Sequence, residues 1–155
     1  MPNFATGATP VILVDAAGLE KTAFPPGATV TVTGTVTANQ GTAANATPHT
    51  LNSAATTNAT SVKTSSGNVY AIAASNINAA ARFLKLYNKT SAPTVGTDVP
   101  VLTIPIPANS VVNVNFGAYG FRFAAGIALA ITGAAADTDT TAIGASDVKV
   151  CTSYL

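Results

Sequence analysis

The sequence predicts an all-β protein, with a jelly-roll-like β-sandwich domain over residues 51–155 and an extended N-terminal arm and linker over residues 1–50. Three observations predict this fold. Short runs of β-branched residues alternate with polar residues, turn residues separate these runs at short spacing, and no stretch has convincing helical periodicity. Counted from Leu51, the pattern gives seven or eight strands, which is typical of a sandwich or barrel.

The arm contains two strand patterns. Residues 11–14 form a short apolar run, and the valines between residues 30 and 36 alternate with threonines. Residues 38–48 have no periodicity and are rich in Ala, Asn, Gly and Thr, which predicts a linker. Because the arm strands lack partners of their own, we expect them to add to the sheet of a neighbouring molecule. The predicted partner-binding residues are Val11, Ile12, Leu13, Val14, Val30, Val32 and Val36.

In the domain, the strand patterns of residues 57–63 and 68–75 flank a Ser-Ser-Gly turn at residues 65–67. Short turns of this kind join antiparallel neighbours, so the sequence predicts a β-hairpin here. Residues 76–81 fit a helical turn and an ordinary loop equally well. Later strands are predicted at residues 82–88, 99–106, 111–116, 121–123, 127–131 and 148–152, with a loop over residues 133–146.

Alternation along these strands predicts which side chains enter the core. Leu84 and Leu86 are expected in the core, whereas Lys85 and Tyr87 point elsewhere. Cys151 lies inside the last strand pattern. We expect a buried or partly buried free thiol there, because no histidine or basic cluster in the sequence nearby would activate it.

The composition limits the classes of function. Charged residues make up only 8% of the chain and the net charge is +1, whereas 24 Thr, 9 Ser and 12 Asn supply a neutral surface. This charge balance offers nothing to nucleic acid or an anionic membrane. The longest dense apolar stretch, residues 121–131, is too short to span a bilayer. The first residues lack the features of a signal peptide, so we expect synthesis in the cytoplasm without export.

Groups that could perform catalysis are few, with one His, one Cys, one Glu and five Asp. His49 lies in the predicted linker without an acidic residue within twenty positions, so we interpret it as a solvated loop histidine. Asp137 and Asp139 resemble the start of a calcium-binding loop, but the Gly and Glu that such a loop requires are missing. One His and one Cys cannot hold zinc within a single chain. The sequence therefore predicts no enzyme, no cofactor and no metal site.

Three aromatic residues, Tyr119, Phe121 and Phe123, occupy alternate positions and would line one face of a strand. We expect a row of core side chains there. The alternative is a platform on which sugars or bases stack.

Several segments between Thr60 and Val150 carry a resemblance to known proteins. They are SVKTSSG (61–67), AAARFLKLYNK (79–89), PTVGTDVP (93–100), GFRF (120–123), GIA (126–128) and ADTD (136–139). Together they resemble small β-sandwich structural proteins encoded by tailed bacteriophages and prophages. The resemblance implies a component of the virion and includes no catalytic motif.

The expected function is a capsid decoration, or cement, protein that forms a homotrimer and binds the lattice of the major capsid protein. A neutral surface repels its neighbours weakly, which suits such close association. Two alternatives stay open. One is a tail, neck or fibre component of the virion, and the other is a carbohydrate-binding module that uses Tyr119, Phe121 or Tyr87. We expect neither nucleic acid nor a membrane as partner.

Overall fold

The computed structural model describes residues 45–155, in which nine β-strands and no α-helix are present. The strands are β1 (Thr47–Asn52), β2 (Thr60–Lys63), β3 (Gly67–Asn76), β4 (Arg82–Asn88), β5 (Leu102–Ile106), β6 (Ser110–Asn115), β7 (Phe121–Phe123), β8 (Ile127–Thr132) and β9 (Val148–Tyr154). Residues 77–81 form a loop rather than a helical turn. The predicted partner-binding residues of the arm lie outside the described residues; they are Val11, Ile12, Leu13, Val14, Val30, Val32 and Val36.

The strands form two antiparallel sheets that pack face to face. The five-stranded sheet has the order β1-β9-β3-β6, with β7 also pairing with β3, and the four-stranded sheet has the order β2-β8-β4-β5. The chain crosses from one sheet to the other at every connection except β4–β5 and β6–β7. This double-sheet arrangement is that of a jelly roll. The predicted all-β sandwich is therefore confirmed.

Apolar side chains from both sheets fill the space between them. β6 shows how alternation produces this core, since Val112 and Val114 pack against it while Val111 and Asn113 are exposed. The fully buried members of the core include Val69, Leu84, Ile106, Ile127, Leu129, Ile131, Val148 and Val150. Burial of these side chains is the main favourable contribution to folding.

The predicted hairpin between β2 and β3 is wrong, because these strands belong to different sheets. Gly67 begins β3, and a Cβ atom there would lie 2.3 Å from the carbonyl oxygen of Leu155. Asn68 and Leu155 exchange two backbone hydrogen bonds of 2.9 and 3.0 Å. The glycine thus permits the close approach of the last residue to β3, whereas the sequence suggested a role in a tight turn.

The first strand begins at Thr47, earlier than the predicted boundary at residue 50 and inside the predicted linker of residues 38–48. β1 pairs with β9 in a continuous antiparallel register from Thr47 opposite Tyr154 to Asn52 opposite Lys149. Its polar composition concealed it in the sequence. Most of its side chains face solvent, so backbone pairing with β9, more than side-chain burial, holds β1 in the sheet.

Candidate interaction surface

The outer side of the four-stranded sheet is covered by loops of the same chain. Lys85 and Tyr87 point away from the main core, as the alternation predicts, yet they are only 0% and 1% exposed. Tyr87 packs in a second, smaller cluster with alanines of β8 and with Val95. The Nζ of Lys85 donates hydrogen bonds to the backbone carbonyl oxygens of Ala136, at 2.5 Å, and Asp139, at 3.5 Å. The loop between β8 and β9 therefore closes this side of the sandwich.

The outer side of the five-stranded sheet is open instead. Antiparallel pairing aligns β1, β9, β3 and β6, so that their outward side chains form three cross-strand rows. The rows are Pro48, Ser153, Ala71 and Asn115; Thr50, Cys151, Ala73 and Asn113; and Asn52, Lys149, Ser75 and Val111. We call these twelve residues the outer face. They are exposed or half-buried, so the face is accessible to a partner.

The outer face is uncharged except at Lys149 and is built mainly from small side chains. Ala71 and Ala73 lie at the floor of a shallow depression of about 250 Å³, with asparagines of β6 on one side and Cys151 on the other.

Cys151 is exposed, so the predicted burial of this thiol is wrong. The alternation of β9 was predicted correctly, but the sequence does not show that no loop of residues 45–155 covers this side of the sheet.

His49 faces the interior, and the prediction of a solvated loop histidine is wrong. It lies in β1 directly opposite Thr152, which is fully buried. The Nδ1 atom of His49 and the Oγ1 atom of Thr152 are both buried and form no hydrogen bond. Burial lowers the pKa of His49 from its ordinary value of 6.5, because it penalises the charged imidazolium.

This burial makes the stability of the domain dependent on pH. The pKa of His49 is lower in the folded than in the unfolded chain, so the unfolded chain binds the proton more strongly. We predict that the free energy of unfolding falls as the pH drops through about 6.5. Urea midpoints at about pH 7.5 and about pH 5.5 measure this change.

His49→Gln is the matched variant, because His49 is the single histidine of the chain. Its urea midpoint should change much less over the same pH interval than that of the native chain. An equal change in both proteins would assign the pH dependence to other groups.

The two aspartates whose spacing resembles the start of a calcium-binding loop, Asp137 and Asp139, differ in their surroundings. Asp139 accepts hydrogen bonds from the Thr141 hydroxyl, at 2.7 Å, and the Ala134 amide, at 2.9 Å. Burial alone would raise the pKa of Asp139, but these bonds outweigh it and hold the pKa below its usual range. Asp137 is exposed. Among residues 45–155, no group of three or more His, Cys, Asp or Glu side chains could hold a metal ion.

The aromatic residues do not form one row. β7 begins at Phe121, so Tyr119 lies in the preceding turn and is 84% exposed. Phe121 packs in tilted geometry against Phe116 and Phe123, with ring centroids 5.6 and 5.2 Å away. The predicted core row therefore describes Phe121 and Phe123, but not Tyr119. Since Tyr87 is buried, the three candidate sugar-stacking residues do not share an open surface.

No family model, no curated protein and no solved structure matches this chain. In the described part of the chain, none of the secondary structure is a helix that is long and apolar enough to cross a membrane.

Proposed function

We propose that this protein is a non-enzymatic structural component of a tailed-phage virion, namely a capsid decoration protein that binds the major capsid protein lattice through its outer face. The observation that carries the proposal is the chemistry of this face. Its side chains are exposed or half-buried and almost free of charge, while loops cover the opposite side of the sandwich within residues 45–155. The centres of protein interfaces are depleted of charged residues in the same way.

The size of the face favours a repetitive partner. The outer face consists of twelve residues. A stable interface between two proteins involves about 20–30 residues on each side. A single face therefore binds weakly, and a lattice of identical subunits compensates through many simultaneous contacts.

The arm supplies a second contact in this proposal. Its strand patterns at Val11–Val14 and at Val30, Val32 and Val36 would add to a sheet of a neighbouring shell subunit. The protein would then be made in the host cytoplasm and function in the particle. The resemblance implies a homotrimer.

Rebinding to particles that lack the protein tests the proposal. We expect the native chain to bind in hundreds of copies per particle and to restore resistance to heat. Ala73→Arg places a charged side chain at the centre of the outer face and should weaken binding by about tenfold or more. Ala135→Arg is the matched control, because Ala135 is also exposed but lies in the loop that covers the four-stranded sheet.

Quantitative mass spectrometry against the major capsid protein gives the copy number. A dozen or fewer copies would favour the tail, neck or fibre alternative. Equal binding of Ala73→Arg and the native chain would remove the outer face from the proposal, and failure of the native chain to bind any particle would refute the proposal itself.

A further inference from the structure

We propose that β6 is a self-association edge, through which two copies of this chain pair antiparallel about a twofold axis and join their five-stranded sheets into one. This inference concerns the backbone edge of β6, whose residues Val111, Asn113 and Asn115 also contribute side chains to the outer face, and it does not depend on a role in a virion. It rests on two observations. The first is which residues of β6 direct their backbone N–H and C=O groups away from β3, and the second is the features of the other sheet edges that resist pairing.

One hydrogen bond, made by the residue that follows β6, shows which residues of β6 bond to β3. The Phe116 amide donates to the Tyr70 carbonyl oxygen at 2.8 Å. In an antiparallel pair, hydrogen-bonded and non-bonded residue pairs alternate. With the register of β3 and β6, this assigns Val112 and Val114 to bonds with β3. The N–H and C=O groups of the intervening residues, Val111, Asn113 and Asn115, therefore point away from β3 to the free edge, where all three residues are exposed.

The other edge strands within residues 45–155 each carry a feature that resists pairing. β2 has four residues and a register shift between Ser61 and Lys63. β7 has only three residues, one of which is Arg122. β5 contains Pro105, which has no N–H group. Short strands, charges, irregular register and proline are the usual devices that prevent edge-to-edge association.

β1 is protected by the position of its proline. The Ser53 amide donates to the Val148 carbonyl oxygen at 2.8 Å, so the β1 residues that bond to β9 are Thr47, His49 and Leu51. Pro48 therefore faces the free edge, where it removes a donor. β6 has six residues without a proline or a charge, in continuous register with β3. It is the one unprotected edge in the described part of the chain.

The free edge of β6 is complementary to itself. When Asn113 faces its own copy, Val111 faces Asn115 of the second copy, and each of the three facing pairs exchanges two backbone hydrogen bonds. On the core side, Val112 then faces Val114, which is a favourable β-branched pair. No charge on the strand opposes this approach. Pairing of β6 with β1 of another copy would be head-to-tail and would build an open fibre. Pro48 disfavours that pairing. The twofold pair of β6 strands instead gives a closed dimer.

The twofold pair also doubles the outer face. Directly facing residues of paired strands project to the same side of a sheet, so the two outer faces become continuous. With twelve residues from each copy, the combined face reaches the size of about 20–30 residues that one side of a stable protein interface has. If the proposed function holds, this dimer, and not the homotrimer that the resemblance implies, is the form that binds the lattice.

The test measures the mass of the full chain by sedimentation over a concentration series. We expect a monomer–dimer equilibrium for the native chain. Asn113→Pro removes a free-edge donor without removing a bond to β3, and Asn113→Lys places two ammonium groups across the axis. Each variant should weaken dimerisation by about tenfold or more, because the twofold axis repeats every loss. Thr50→Pro and Thr50→Lys make the same changes at the free edge of β1 and should dimerise as the native chain does.

Amide hydrogen exchange gives a second readout, in which alternate residues of β6 are expected to behave differently. On dimerisation, the amides of Val111, Asn113 and Asn115 should become protected, while those of Val112 and Val114 are protected at every concentration. Asn113→Lys keeps the test valid if Asn113→Pro does not fold. A native chain that stays monomeric to about 1 mM, forms trimers, or dimerises equally well with either change at residue 113 would overturn the inference.

Discussion

Replacing Asn76 by alanine is expected to lower the free energy of unfolding by about 3 kcal/mol, one of the largest effects of any polar substitution in the domain. Asn76 ends β3 and is 1% exposed. Its Nδ2 lies within hydrogen-bond distance of three carbonyl oxygens, those of Ala80 at 2.9 Å, Ile106 at 3.1 Å and Pro107 at 3.0 Å, which share its two hydrogens. Its Oδ1 accepts a hydrogen bond of 2.9 Å from the Asn78 amide.

The size of this effect follows from what alanine leaves behind. One amide side chain connects the loop after β3 to the turn between β5 and β6, and so joins the two sheets at this end. Without it, the Ile106 carbonyl and the Asn78 amide lose a partner at a site that water reaches poorly. Each buried polar group without a partner costs about 1–3 kcal/mol.

Urea unfolding measures this loss, and Asn52→Ala is the matched control. Asn52 is exposed on β1, and its Nδ2 makes one long hydrogen bond of 3.3 Å to Ser146. The control should change stability by about 0.5 kcal/mol or less. A loss below about 1 kcal/mol for Asn76→Ala would show that the two loops do not depend on this side chain.

A neighbouring ion pair supports the same end of the sandwich. Arg82 Nη2 donates to the Asp147 Oδ2 at 2.9 Å, and the Gly144 amide and Asn78 Nδ2 donate to the same oxygen. These bonds, led by that from Arg82, hold the pKa of Asp147 below its usual range. The loop after β3, the first residue of β4 and the loop before β9 therefore meet at this carboxylate.

The sequence predicted the strands better than their partners. Alternation is a local property of the chain, and it correctly placed Leu84 and Leu86 in the core and Lys85 on the other side of the strand. Partner choice depends on distant segments. The turn before Gly67 resembles a hairpin turn, but the chain crosses to the other sheet because β3 pairs with β9 and β6.

The alternation also did not predict which outward side chains are exposed to solvent. Cys151 and Lys85 both point away from the main core, yet the thiol is exposed and the ammonium is buried. The difference lies in the loop between β8 and β9, which covers one sheet and not the other. The outer face and the β6 edge leave no motif in the sequence for the same reason, because both are defined by what does not cover them.

Lys85 offers the other large effect, since it holds that loop in place. We expect Lys85→Ala to lower the free energy of unfolding by about 3 kcal/mol, because it empties the space of a fully buried stem. Lys85→Met keeps most of the volume but removes the ammonium group and its bonds to the carbonyl oxygens of Ala136 and Asp139. Its loss should be about 1 kcal/mol, because replacing a buried charge with an apolar group of similar size is often nearly neutral.

Urea unfolding and limited proteolysis separate the stem from the ammonium group. Both variants should be cleaved faster than the native chain within residues 133–147, because the loop loses its contacts with Lys85. Lys149→Ala is the control, as Lys149 is exposed on the outer face, and it should change neither measurement. If Lys85→Met were as unstable as Lys85→Ala, the hydrogen bonds to the loop, rather than packing of the stem, would be the main contribution of this side chain.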